Sequence, residues 1–173
     1  PRHLIDEVIE AERLGLGAAF ISERFNIKEA ATLSGAAGAV SRSIDIITGA
    51  TNHNTRHPIV TASYATTMHR LTGGRFSLGI GRGIAPMFKA FGIPPITTAQ
   101  MEDFAIVMRR LWKGETVIGH DGPIGSYPVL RLDPTFDDNI PLSIVAFGPN
   151  TLKLGGRLFD NVILHTFFTD ETL

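Results

Sequence analysis

The sequence contains no cysteine. That excludes a disulfide framework, a thiolate nucleophile and a cysteine-based zinc site, and it fits a reducing compartment. An excess of one charge is also missing. The chain carries 16 Lys and Arg against 17 Asp and Glu, so no strong field would recruit nucleic acid or an anionic membrane, and a small molecule is the expected partner. No apolar run approaches the roughly 20 residues that span a bilayer, and the first residues lack the basic-then-apolar pattern of a signal peptide. The expected location is the cytoplasm. No Gly-x-Ser-x-Gly elbow is present, so nucleophilic hydrolysis has no foothold. What remains is ordinary for a globular domain: 173 residues, 43% hydrophobic and 19% charged, enough for one sizeable core. The chain opens on Pro1 within an apparent helix, so further sequence is expected upstream.

The stretch from Ile44 to Gly83 organises the chain. Ile44-Asp45-Ile46-Ile47 and Arg75-Phe76-Ser77-Leu78-Gly79-Ile80 are each short enough to be buried strands. Between them Pro58 opens a helix over Ile59 to Leu71, and Thr72-Gly73-Gly74 ends it. Upstream, Leu4, Ile5, Val8, Ala11 and Leu14 recur at helical spacing, and Ala18 to Ser22 reads as a strand. Glu29 to Val40, rich in Ala and Gly, suits a helix packed tightly on a sheet. Downstream, Ile84 to Pro95 reads as a loop carrying Met87, Phe88 and Phe91. Thr97 with Gln100 resembles a capping box for a helix over Thr98 to Lys113, with Trp112 as a core anchor. Glycines and prolines break any period from Glu115 to Asp138, which reads as an insertion with a short hairpin. Pro141 to Phe147 is a fourth buried run, Thr151 to Leu158 a short helix, and Asn161 to His165 a fifth strand.

Five strands alternating with helices imply a parallel sheet. Two architectures fit. An open doubly wound sheet is complete with five strands, whereas a barrel needs eight and typically about 250 residues. Composition favours the first, while the helical start and the fifth strand close to the chain end favour part of something longer.

Several clusters could carry chemistry. Gly79-Ile80-Gly81-Arg82-Gly83 follows a strand, but its third glycine is displaced from the dinucleotide fingerprint and the next convincing helix lies well downstream. Gly148-Pro149-Asn150 sits between a strand and a helix, where it is either an anion site or an ordinary tight turn. His53 and His57 have the four-residue spacing of helical metal ligands, but Pro58 places them in a loop with no acid close in sequence. Arg56 and His57 are candidates to bind an anion or brace that loop. Glu23 and Arg24, at a strand end, could orient a substrate or transfer a proton, or form a solvated pair.

Ala11-Glu12-Arg13-Leu14-Gly15, Ile21-Ser22-Glu23-Arg24, Gly49 to Asn52 with Thr55-Arg56-His57-Pro58, Gly73 to Gly81, and Gly148-Pro149 with Gly155-Gly156-Arg157 together resemble the bacterial luciferase-like superfamily. Within it the chain looks most like the coenzyme F420-dependent oxidoreductases of the methylenetetrahydromethanopterin reductase type. The resemblance implies an α/β fold, a (β/α)8 TIM barrel of which residues 1–173 form one incomplete domain holding about strands two to six, with 115–138 inserted between barrel units. It implies a deazaflavin, coenzyme F420, or alternatively FMN, at the C-terminal strand mouths. A bulge with a non-proline cis peptide behind the cofactor ring would fall at Gly49–Ala50. Thr51 and Asn52 would lie near the ring with Gly81 and Gly83 close by, and Ala146, Phe147, Gly148, Pro149 and Asn150 would hold the phosphate-bearing tail. Glu23 and Arg24 are the implied catalytic pair. Related proteins often have a histidine at the second position, whereas Arg24 cannot act as a general acid near neutrality and would stabilise negative charge instead. The expected activity of the full-length protein, as a homo-oligomer such as a dimer, is hydride transfer between the deazaflavin and a small organic substrate. The alternatives are an FMN-dependent monooxygenase and a non-catalytic binding module. Five strands cannot close a barrel, so residues 1–173 alone are expected to lack robust turnover.

Overall fold

A computed structural model describes residues 1–165 and Thr169. Its centre is a sheet of five parallel strands: β1 (Ala18–Ile21), β2 (Asp45–Thr48), β3 (Phe76–Ile80), β6 (Leu142–Val145) and β7 (Asn161–Ile163), in that spatial order. Each strand joins the sheet beside its predecessor, and the order never reverses. A doubly wound sheet has a switch point where the order turns back; its absence removes that reading and leaves an arc of barrel. One face of the sheet packs on helices, with Ile46, Leu78, Ile80, Leu142 and Ile144 fully buried. On the other face Phe20, Ile47, Ser77, Ser143 and Ile163 border an open cavity of about 480 Å³, the interior of the arc.

Local chemistry explains the helices. In α1 (Leu4–Arg13), Asp6 and Glu7 stand in the first turn and Arg13 in the last, which complements the helix dipole. Of its apolar stripe only Val8 is buried, and Ile5 and Ile9 stay about half exposed, because α1 packs on α2 at the end of the arc. Helix α2 (Ala30–Val40) is capped by Glu29, whose carboxylate accepts from the amides of Ala31 and Thr32. Its small residues allow close packing: a Cβ on Gly38 would stand 2.9 Å from Thr72 Cγ2. Pro58 occupies the first turn of α3 (Pro58–Leu71) and His57 Nδ1 caps it through Ile59 N. The Thr97–Gln100 capping box opens α5 (Thr98–Trp112), and Trp112 is a buried anchor whose Nε1 donates to Ala62 O. Helix α6 (Pro149–Leu158) lies on β6 and β7 at Gly155, where a Cβ would come within 2.7 Å of Val162. Strands β4 (Val117–Gly122) and β5 (Gly125–Leu130) form an antiparallel hairpin outside the main sheet.

The segment expected as a loop from Ile84 to Pro95 instead contains a helix, α4 (Ala85–Ala90). Pro86 stands in its first turn, and Gly92, at φ +67°, follows it. Phe88 supplies the driving force, being 2% exposed, while Phe91 remains 51% exposed. With one anchoring residue and six residues in all, the element has too short an apolar period to read in sequence.

Among the described residues no helix is long and apolar enough to cross a membrane. Two outcomes test the packing. Replacing Gly79 by Ala puts a Cβ 1.8 Å from Thr48 O, and urea unfolding should show a loss of about 3 kcal/mol or more. Glu12 Oε1 accepts from the amides of Arg42, Ser43 and Ile44, which hold its carboxyl at about 2 against an ordinary 4.5. Because the folded value is the lower one, this contribution is complete above about 4.5 and is lost as pH falls toward about 2. Acid-unfolding curves of Glu12→Gln should be flatter across that window than those of the parent chain.

Candidate cofactor site at the strand mouths

The C-terminal end of β2 is irregular in a defined way. Ile47 pairs with Ser77, and pairing resumes with Thr51 opposite Ile80. Four steps along β2 therefore match three along β3, so one extra residue is accommodated, which is a bulge. Thr48 makes this possible: its hydroxyl donates to Gly79 O at 2.8 Å and accepts from Gly79 N at 2.7 Å. Beyond it, Thr51 N donates to Gly79 O and Gly81 N to Thr51 O. On the other side Gly49 N donates to Ile21 O and Ala50 O accepts from Glu23 N. The Gly49–Ala50 peptide is cis, at the bond the sequence resemblance implied.

Behind the bulge lies a charge network. The Glu23 side chain is 2% exposed. Its Oε1 accepts from Ala30 N, and its Oε2 accepts from Thr51 Oγ1 and from the Arg56 guanidinium. Arg56 also donates to Thr51 Oγ1 and pairs with Glu29, the cap of α2. Thr51 is thus held as donor and acceptor at once, and both Glu23 oxygens accept hydrogen bonds. Arg56 is the residue the sequence left undecided between anion binding and bracing; here it braces. Glu29 was not anticipated, although a Glu just before an Ala-rich helix is a recognisable cap position.

The supposed Glu23–Arg24 pair does not form. Arg24 is exposed, and among the described residues no side-chain partner is found for it; with Asn52, Gly83 and Phe88 it borders a small cavity of about 40 Å³. Asn52 is buried, its Nδ2 donating to Gly81 O at 2.8 Å. Gly81 lies against the bulge, since a Cβ there would be 3.0 Å from Ala50 Cβ. Gly83, at φ +70°, faces the Phe88 ring, which a Cβ would meet at 2.4 Å; this glycine accommodates α4.

Across the mouth, Ala146 is buried and Phe147 is 62% exposed, 5.7 Å from the His165 ring. Gly148 is the N-cap of α6, and Pro149 and Asn150 form its first turn, so the helix starts two residues earlier than its sequence pattern indicates. No side chain caps it, and nothing lies within 4 Å of where a Gly148 Cβ would stand. Arg82, read in sequence only as part of a glycine run, donates to Ile96 O, Thr98 Oγ1 and Thr151 Oγ1. It ties the starts of α5 and α6 together. His53 and His57 do not share a face: His53 stacks on Phe104 at 5.3 Å, while His57 caps α3.

The luciferase-like monooxygenase family matches residues 1–173. The chain is 30% identical over 158 residues to the 5,10-methylenetetrahydromethanopterin reductase of Methanolobus tindarius, covering 90% of this chain and 47% of that protein. It is 30% identical over 186 residues to the F420-dependent glucose-6-phosphate dehydrogenase of Intrasporangium calvum, covering 94% of this chain and 53% of that protein. Its fold resembles the coenzyme F420-dependent tetrahydromethanopterin reductase of Methanopyrus kandleri, with a TM-score of 0.79 at 24% identity over 92% of this chain and 51% of that one. The chain therefore spans about half the length of the curated relatives it matches. With a matching profile along its whole length and an unreversed arc of parallel strands, it belongs to the luciferase-like monooxygenase family.

Proposed function

We propose that the full-length protein is a coenzyme F420-dependent oxidoreductase that moves a hydride between the deazaflavin and a small organic substrate. The observation carrying this reading is the braced bulge at Thr48–Thr51, which presents a fixed backbone surface at the strand mouths, together with kinship to a relative named as F420-dependent. The opposite side of the mouth also suits the cofactor. Gly148 leaves open space beside an uncapped helix start, and the amides of Thr151 and Leu152 turn back to Gly148 O. Pro149 has no amide, so the Asn150 N–H and the positive end of α6 are left to receive an anionic tail.

The bound cofactor would supply the hydride chemistry, and the protein supplies position and electrostatics. Thr51 and Asn52 keep one orientation because Glu23, Arg56 and Gly81 O occupy their polar groups. Glu23 is a positioning residue in this scheme, its oxygens already engaged. Arg24, a cation at the rim with no side-chain partner among the described residues, holds negative charge that develops on ring or substrate; a guanidinium does not give up its proton near neutrality. The second reading, an FMN-dependent monooxygenase, is favoured by the family's own description.

Three measurements decide among these. Fluorescence titration of the full-length protein should show binding of the deazaflavin in preference to FMN. Tight FMN binding without deazaflavin binding reverses the order, and binding of neither supports a non-catalytic module. Arg24→Gln should lower kcat by about 10²-fold with cofactor affinity little changed. Arg56→Met leaves the buried Glu23 carboxylate without its cation and should cost about 3 kcal/mol in urea unfolding. Adding Glu23→Gln should recover part of that loss in a double-mutant cycle.

A further inference from the structure

Helix α4 is tied to the rest of the chain at its two ends and at one ring. Before it, Gly81 N donates to Thr51 O, and Arg82 donates to Ile96 O, Thr98 Oγ1 and Thr151 Oγ1. After it, Pro94 O accepts from Asn54 Nδ2. Between these anchors the hydrogen bonds of residues 84–93 close on the segment itself: Phe88 N donates to Ile84 O, Phe91 N to Met87 O, Gly92 N to Lys89 O and Ile93 N to Phe88 O. Among the described residues no hydrogen bond or ion pair joins 84–93 to another part of the chain. A glycine stands at each junction, Gly83 at φ +70° and Gly92 at φ +67°. Such residues absorb a change in backbone angles most easily, which suits them to be hinges.

Phe88 is the one buried residue of this segment, while Ile84 and Phe91 are about half exposed. A segment with one buried contact and self-contained hydrogen bonds belongs to the low-stability end of a fold. The Phe88 ring lies over Gly83 and 5.5 Å from the Phe25 ring. Phe25 belongs to the connection after β1 and α4 to the connection after β3, and β2 lies between those strands in the sheet. The helix therefore crosses the exit of β2, where Asn52 is 5% exposed. The space bordered by Arg24, Asn52, Met87 and Phe88 is about 40 Å³, against the roughly 300–1,000 Å³ of an ordinary ligand pocket. No organic substrate can lie against Asn52 while Phe88 holds its place.

We infer that α4 is a lid over the exit of β2, hinged at Gly83 and Gly92 and latched by the Phe88 ring, and that the substrate reaches Asn52 and Arg24 when that ring leaves its seat. That the space beneath is the substrate side rests on the proposed function; the hinges and the latch do not.

The test is methyl relaxation dispersion on full-length protein labelled with ¹³C-methyl methionine and free of cofactor. Met87 rides on α4 and borders the small cavity, whereas Met101 and Met108 are buried in α5. The Met87 signal is identified by its loss in Met87→Leu. Exchange on the microsecond-to-millisecond scale is expected at Met87 and not at Met101 or Met108. Phe88→Ala removes the latch, so the dispersion should vanish and the Met87 signal should move to the chemical shift of the minor state. Gly83→Ala puts a Cβ against the Phe88 ring and should move the signal the same way. Deazaflavin affinity of Phe88→Ala, read by fluorescence titration, should stay within about threefold of the parent value. A flat profile at Met87, equal exchange at Met101 and Met108, or a Met87 signal left in place by both variants would overturn the lid. A loss of deazaflavin affinity of about tenfold or more would overturn its place on the substrate side. If the parent protein binds no deazaflavin, the proposed function fails while the dispersion profile still decides the lid. Should Phe88→Ala fail to fold, the parent profile and Gly83→Ala decide.

Discussion

One hydroxyl group makes the strand mouths possible. An extra residue in β2 would leave the Gly79 amide unpaired inside a buried sheet; Thr48 Oγ1 accepts from it and also donates to Gly79 O, which Thr51 N reaches as well. Those bonds require the backbones of β2 and β3 to approach closely. They do, because residue 79 is glycine and Thr48 O lies where its Cβ would be. Thr48 and Gly79 are therefore one device: the threonine closes the hydrogen bonds, and the glycine opens the space. Everything placed at the mouth, from Gly49 to Asn52, depends on the chain leaving the ladder at that point and returning at Thr51.

The second layer of support is electrostatic. Glu23 is a buried carboxylate, and a buried charge is tolerated when it is paired and its lone pairs are used. Three donors meet that condition: the first amide of α2, the Thr51 hydroxyl and Arg56. The same contacts join the ends of β1 and β2 to the start of α2. Rigidity at the mouth thus comes from a network in which each member satisfies another, leaving Arg24 as a charge on the rim not committed to the scaffold. The first turn of α6 is the complementary case, held by Arg82 through Thr151 while its own start stays uncapped.

Much of this was legible in the residues. The strands over Ile44–Ile47 and Arg75–Ile80, the Pro58 helix start and the Thr97–Gln100 capping box are local signals, and they hold because short apolar runs and cap residues act within a few positions. The resemblance pointed to the bulge and to the cis bond at Gly49–Ala50, where the structure has both. Helix α4 was not legible, since its one anchor, Phe88, is buried by Phe25 and by the space over Gly83, both remote from local periodicity. The partner of Glu23 was not foreseen, for a similar reason. Its neighbour in sequence, Arg24, points elsewhere, and the guanidinium that meets it comes from Arg56, 33 residues away.

By itself the sequence determined the element types apart from α4, their alternation and the absence of thiol chemistry, because propensity, periodicity and composition are local or additive properties. Composition and spacing left an open sheet and a barrel arc both standing and the resemblance implied the barrel; the strand order itself is tertiary, since it depends on which edges pair and leaves no trace in any one segment. Tertiary structure also decided which charges meet. Coulombic and hydrogen-bonding partners are selected by distance in space, and at the strand mouths that distance is set by a single threonine facing a single glycine.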